Sequence, residues 1–154
     1  GRAVPLDGAV PGAGEDLMAL FSAGARYGLQ ACLLLAEQST GAPLPGASIA
    51  QRLRIPPQYL QVVLHRLKAA GIVTTVRGQR GGYRLARAPA AVAVLEVLEA
   101  VDSRGLVVPA RGAAGDVTEP LFAHVEARLR EELSVSLADA LRRWGTEAAP
   151  MFHI

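Results

Sequence analysis

One cysteine in 154 residues excludes an intramolecular disulfide framework and suits a reducing cytosol. No apolar run approaches the ~18 residues of a membrane span, and no basic stretch followed by an apolar core marks a signal peptide. The expectation is a cytoplasmic protein without membrane attachment. Reactive groupings are absent as well. His65, His124 and His153 are scattered without ligand spacing, and no nucleophile–base pair or glycine-framed carboxylate pair occurs. Glu96, Glu99, Glu131 and Glu132 fall on helical stretches and read as solvated faces. No enzyme is expected.

The most informative absence is local. From Gln38 to Leu95 there is no Asp or Glu, yet eight of the sixteen basic residues lie there: Arg52, Arg54, Arg66, Lys68, Arg77, Arg80, Arg84 and Arg87. The segment is +8 before His65 is counted, which leaves the remainder at −6 within an overall +2. A concentrated positive field without internal acids needs an external anion, and the commonest large one is a phosphate backbone. A solvated basic face is the alternative. The placement of the charges favours the anion.

An apolar content of 51% is enough for a core, and the length suits one domain with an appended oligomerisation element. Residues 1–17 hold four Gly and two Pro without periodicity and read as a mobile tail. Ser22 is a plausible N-cap for a first helix whose apolar stripe is Leu29, Cys32, Leu33 and Ala36, at i, i+3, i+4, i+7. Within that stripe Cys32 reads as a packed small hydrophobe rather than a reactive thiol. Gly41 to Gly46, with two prolines, is a loop.

Ala47 to Leu53 follows as a short helix with Ile49, Ala50 and Leu53 inward. Ile55-Pro56-Pro57 forces a turn, because proline disfavours the α conformation in the residue before it but suits the first helical position. The next helix runs from Pro57 to Ala70 and stops at Gly71, a natural C′ residue. Leu60, Val63, Leu64 and Leu67 form its apolar stripe; Gln58, Gln61, Val62 and His65 lie opposite, flanked by Arg66 and Lys68. Two short helices, a tight turn and an amide-rich outer face make a helix-turn-helix.

Ile72 to Val76 and Tyr83 to Ala86 are β-rich, joined by Arg77-Gly78-Gln79-Arg80-Gly81-Gly82 as a hairpin. The glycine spacing matches neither dinucleotide nor P-loop patterns, and no helix follows to offer its N-terminus, so a phosphate-cradling loop is rejected. Helix-turn-helix plus hairpin is a winged helix. Glycines let its tip approach a groove closely, and arginine suits the negative potential of a narrow minor groove.

Val92 to Val101 forms a further helix through Val94, Leu95, Val97, Leu98 and Val101, and Ser103 to Val117 is a loop. Thr118-Glu-Pro is expected to cap a long helix to Leu133, with Phe122, Val125, Leu129 and Leu133 along one side. Ser136-Leu-Ala-Asp139 reads as a capping box that opens a last helix to Trp144. A long amphipathic helix beyond a small winged helix calls for a partner surface, and a homodimer is expected. The fold class is mainly α with a small β-hairpin. It divides into a tail (1–17), a winged helix-turn-helix (18–91), a helix, loop and dimerisation helix (92–144) and a C-terminal tail (145–154).

Several stretches together resemble the Rrf-two-type family of bacterial winged-helix regulators. They are Ser22-Ala-Gly-Ala-Arg26-Tyr27-Gly-Leu29, Ile55-Pro-Pro-Gln-Tyr59-Leu60, Leu67-Lys-Ala-Ala-Gly71-Ile-Val, and Val92-Ala-Val-Leu-Glu-Val-Leu-Glu-Ala-Val-Asp102. Leu133-Ser-Val-Ser-Leu137-Ala-Asp139 belongs with them, and the most specific is Val76-Arg77-Gly78-Gln-Arg-Gly81-Gly82-Tyr83-Arg-Leu85-Ala86. The resemblance spans Met18 to Trp144. It implies a DNA-binding transcription regulator, of repressor type, acting as a homodimer on an inverted repeat. Double-stranded DNA is then the expected partner. Gln58, Tyr59, Gln61, His65 and Arg66 would face the major groove, and Arg77, Gly78, Arg80 and Gly81 the minor groove.

The family's iron–sulfur cluster biogenesis regulator tends to carry an acid where this chain has Gln61. Glutamine can pair bidentately with adenine, so a different base preference is expected. Many relatives also hold a cluster through three cysteines in the loop after the fourth helix. Here that loop is SRGLVVPARGAAGDV, without Cys or His. A cluster needs several converging thiolates or imidazoles, so no cofactor is expected. Ser103, Arg104 and Arg111 are instead candidates for meeting a small-molecule or protein effector. The competing reading is a winged helix used only for protein contact. Acids on the outer face of the Pro57 helix or at the wing would favour it, and none is there.

Overall fold

Ser22 sets the start of the first helix: its Oγ accepts the amide of Ala25 at 3.1 Å. Such a cap satisfies an otherwise orphaned donor and is worth about 1 kcal/mol. A computed structural model describes residues 21–38, 40–102 and 116–145. The expected tail at 1–17, the tail beyond 145 and the expected effector residues Ser103, Arg104 and Arg111 lie outside the described residues. The order is α1 (Ala23–Glu37), α2 (Gly46–Leu53), α3 (Pro57–Ala69), β1 (Val73–Val76), β2 (Gly82–Leu85), a 3-10 turn (Pro89–Ala91), α4 (Val94–Val101), α5 (Thr118–Leu133) and α6 (Leu137–Trp144). This is the winged helix-turn-helix with a following long helix that the patterning led us to expect.

Helix α1 is the central strut, touching α2, α3, α4, α6 and β2. Its buried line is Ala25, Gly28, Ala31, Cys32 and Leu35 with Leu34, which corrects the expected Leu29–Cys32–Leu33–Ala36 stripe. Leu29, Leu33 and Ala36 are only half-buried. Periodicity weights large apolar residues, whereas the tightest helix contacts here go to small ones. A Cβ on Gly28 would fall 2.7 Å from Val101 Cγ2. Cys32 is fully buried, and that burial pushes its thiol up to about 12. The thiolate, which is both nucleophile and metal ligand, is therefore suppressed at neutral pH.

The helix-turn-helix core is as the two stripes predict: Ile49, Ala50 and Leu53 of α2 and Leu60, Val63, Leu64 and Leu67 of α3 are buried. Each large aliphatic side chain contributes about 1.5–3 kcal/mol. Arg54 ends α2 in the left-handed region, at φ 55° and ψ 42°. That conformation costs a residue with a Cβ about 1–2 kcal/mol.

In the wing, Val73 pairs with Leu85 and Val76 with Gly82. A third segment joins: Leu44 N donates to Tyr83 O at 2.9 Å and Tyr83 N to Leu44 O at 2.7 Å. The 41–46 loop is thus partly a short edge to the wing. Gly82 makes this possible, since a Cβ there would sit 2.3 Å from the Leu44 carbonyl carbon, at φ 154°.

Helix α4 begins at Val94, two residues later than expected, because Ala93 bridges Ser136 instead. Val94 N donates to Val135 O at 2.8 Å and Leu137 N to Val92 O at 2.9 Å. Val92, Val97, Val101 and Leu137 enter the same core as the helix-turn-helix. The expected capping of α5 by Thr118 is also corrected. Asp116 Oδ1 accepts the Thr118 amide at 2.9 Å, and Val117 holds the N-cap position without a side-chain bond. This bond holds the Asp116 carboxyl below its ordinary value. At α6 the Ser136 cap is present, its Oγ accepting the Asp139 amide at 3.0 Å.

Candidate nucleic-acid interface

Folding trims the basic field without cancelling it. Glu96, one residue past the acid-free segment, ion-pairs with Arg87. Arg66 stays exposed on α3, yet its Nη1 donates to the carbonyl of Val101 at 2.8 Å. The other six, Arg52, Arg54, Lys68, Arg77, Arg80 and Arg84, are exposed, and among the described residues none has an ion-pair partner.

Gln58 and Gln61 lie in the first turns of α3, three residues apart and hence on one face, and both are exposed, as are Val62 and His65. This is the part of a reading helix that reaches base edges. A groove of about 240 Å³ between α2, α3 and the wing is lined by Gly46, Pro57, Gln61 and Tyr83. The structure thereby places Gln61 beside the base of the wing. Tyr59 is differently disposed. Its ring meets Tyr27 edge-on, with centroids 5.5 Å apart at 86°. Its hydroxyl oxygen would lie 3.3 Å from a Cβ on Gly24, so it leans on α1.

At the wing, Arg77, Gly78, Gln79 and Arg80 are exposed. The tip closes through Gly81 N donating to Gly78 O at 3.0 Å, with Gly78 at φ 115°, a conformation open to glycine and few others. Sequence reasoning did not single out Arg52 and Arg54, both exposed, as candidate interface residues. Their position just ahead of the reading helix was the available signal; the left-handed Arg54 was not foreseeable.

The winged helix with this exposed basic surface meets a direct comparison. The family model Rrf2, described as Iron-dependent Transcriptional regulator, matches residues 21–143. The chain belongs to the Rrf2 family. An Azotobacter vinelandii protein with the provisional name HTH-type transcriptional regulator ORF2 is 36% identical over 125 residues, covering 77% of this chain and 76% of the relative. The HTH-type transcriptional regulator IscR of Escherichia coli is 39% identical over 98 residues, or 64% of this chain. That match spans 60% of IscR, under two thirds of its length.

Among solved structures, CymR, the global cysteine regulator of B. subtilis, superposes with a TM-score of 0.73 at 27% identity, covering 80% of this chain and 96% of CymR. T. potens IscR gives 0.68 at 31%, covering 79% and 85%. These neighbours are Rrf2 regulators, and the winged-helix architecture is shared with them.

The family's description as iron-dependent poses the question of a metal. Among the described residues no three His, Cys, Asp or Glu side chains converge as a metal site. The chain's one cysteine is buried on α1 with its thiolate suppressed. Residues 103–117 contain neither Cys nor His. This donor set does not fit an iron–sulfur cluster.

Proposed function

We propose that this Rrf2 protein is a transcription repressor that binds an inverted-repeat operator as a homodimer, with α3 in the major groove and residues 77–82 in the minor groove. The observation that carries it is the set of six exposed cations on α2, α3 and the wing, free of ion pairs among the described residues, together with the exposed amides of α3. In this reading Arg52, Arg54 and Lys68 neutralise phosphates, Gln58, Gln61 and His65 meet base edges, and Arg77 and Arg80 enter the minor groove. The second copy is supported by α5, on which Leu121, Phe122 and Val125 are exposed. No described helix is long and apolar enough to cross a membrane.

Gln61→Ala is expected to cost about 1–3 kcal/mol on the preferred operator if the adenine contact is bidentate, with much less lost on random duplex. Arg80→Ala should weaken both, with selectivity lost mainly at A/T-rich minor-groove positions. Competition binding with cognate and scrambled duplexes measures both. Equal losses on the two duplexes for Gln61→Ala would remove its base-reading role.

We further propose that regulation proceeds without a cluster, through a small-molecule or protein effector meeting residues 103–117, with Ser103, Arg104 and Arg111 as contacts. Anaerobically purified protein should be colourless, and its operator affinity should survive a chelator. A brown protein with stoichiometric iron and sulfide would overturn this.

A further inference from the structure

Arg66 stands on the reading helix and belongs to the basic segment, yet its Nη1 is directed at a carbonyl 35 residues away, that of Val101 at 2.8 Å. Val101 is the last residue of α4. Its carbonyl is among the four that a helix leaves without an internal partner, at the negative end of the helix dipole, where a cation is favoured. A guanidinium is well suited to the place, being always charged and geometrically fixed.

The end of α4 that receives this bond is itself held. The Val101 side chain is wedged against α1 where Gly24 and Gly28 leave room: a Cβ on either would fall 3.3 and 2.7 Å from its methyl carbons. The same Cβ on Gly28 would lie 3.3 Å from Val63 Cγ1 of α3, so three helices meet at this point. The next residue, Asp102, is buried, and its Oδ2 accepts the amide of Ser22, the N-cap of α1, at 3.3 Å. Tyr59 adds a second tie between α3 and α1 through its edge contact with Tyr27.

We infer that Arg66 is a positioning residue for DNA reading: its bond to Val101 sets the angle at which α3 presents Gln58 and Gln61. This rests on the DNA-binding reading above, and it gives Arg66 a different role from the major-groove contact that the family resemblance implied. A phosphate ligand and a positioning residue differ in what their loss removes. Losing a phosphate contact weakens cognate and random DNA alike and lowers the salt slope by about 0.9. Losing the orientation of α3 spoils base-edge contacts and leaves the count of phosphates unchanged.

The test compares Arg66→Met and Arg66→Lys in the full chain. Binding is measured on cognate and random duplexes across a salt series, with a urea melt for stability and the NMR resonance of the Asp102 amide, whose peptide carbonyl is that of Val101. Arg66→Met is expected to lose about 10- to 100-fold on cognate DNA, the span of one good base contact. It should keep its affinity for random DNA and its salt slope, and shift the Asp102 resonance. Arg66→Lys, which retains a donor, should recover part of the selectivity. Equal losses on both duplexes with a reduced slope, or an unmoved Asp102 resonance, would overturn the positioning role while leaving DNA binding standing. A wild-type protein that binds no duplex would sink both readings.

Discussion

Raising salt from 50 to 200 mM is expected to weaken operator binding by about 10³-fold, if about six phosphates are neutralised per complex. Each contributes a slope of about −0.9 in log affinity against log salt, because its condensed counterion is released. In the acid-free segment six exposed cations per protomer have no ion pair or side-chain hydrogen bond among the described residues, so a dimer would use half of those twelve. Fluorescence anisotropy over a salt series measures the slope, and a flat line would remove duplex DNA as the partner. Arg54→Gly sharpens the test. The left-handed conformation costs arginine about 1–2 kcal/mol, while glycine's extra chain entropy costs roughly 0.5–1 kcal/mol. The variant should therefore match or exceed the wild type in stability and still bind more weakly, with a shallower slope. Unchanged binding would show that Arg54 meets no phosphate.

Val125→Glu is expected to convert the protein to monomers and to weaken operator binding by about 10²–10⁴-fold, the usual gain from linking two binding modules. In a two-fold interface a surface meets its own copy, so one substitution buries two like charges. Leu121, Phe122 and Val125 are 57%, 43% and 51% exposed and lie together on one helix, an apolar face open to a second copy. The substituted helix should still form, because α5 is anchored at its other end. Arg130 Nη1 reaches Glu99 of α4 at 2.6 Å, and Leu133 packs on the core. Sedimentation velocity, with circular dichroism as control, reads the outcome. A dimer that persists with Val125→Glu would place the interface elsewhere.

The legible parts were those in which one kind of local information dominated. In α3, period, an N1 proline and a closing Gly71 agreed, and the buried set was foreseen residue for residue. In α1 they did not, because a helix with neighbours on several sides buries more than one stripe, Leu34 and Leu35 included. Gly28 takes a close contact with Val101 and Ala31 is fully buried, while Leu29 and Leu33 stay half-buried. The interface residues were legible as charges and amides but not as geometry. Arg66 and Arg77 look alike in a count of charges and are both exposed; only Arg66 donates to a helix end.

By itself the sequence determined the winged helix-turn-helix, the acid-free basic segment and the place of the long amphipathic helix. Each follows from composition or from periodicity within a short window, which physics reads locally. Only the tertiary structure decided which cations stay free, since Arg87 finds Glu96 and Arg66 finds Val101 across chain separations no local pattern encodes. It also decided that Leu44 edges the wing and that α4 ends against α3. Those outcomes depend on which surfaces meet, and packing at near-crystalline density leaves few alternatives once the helices are in place.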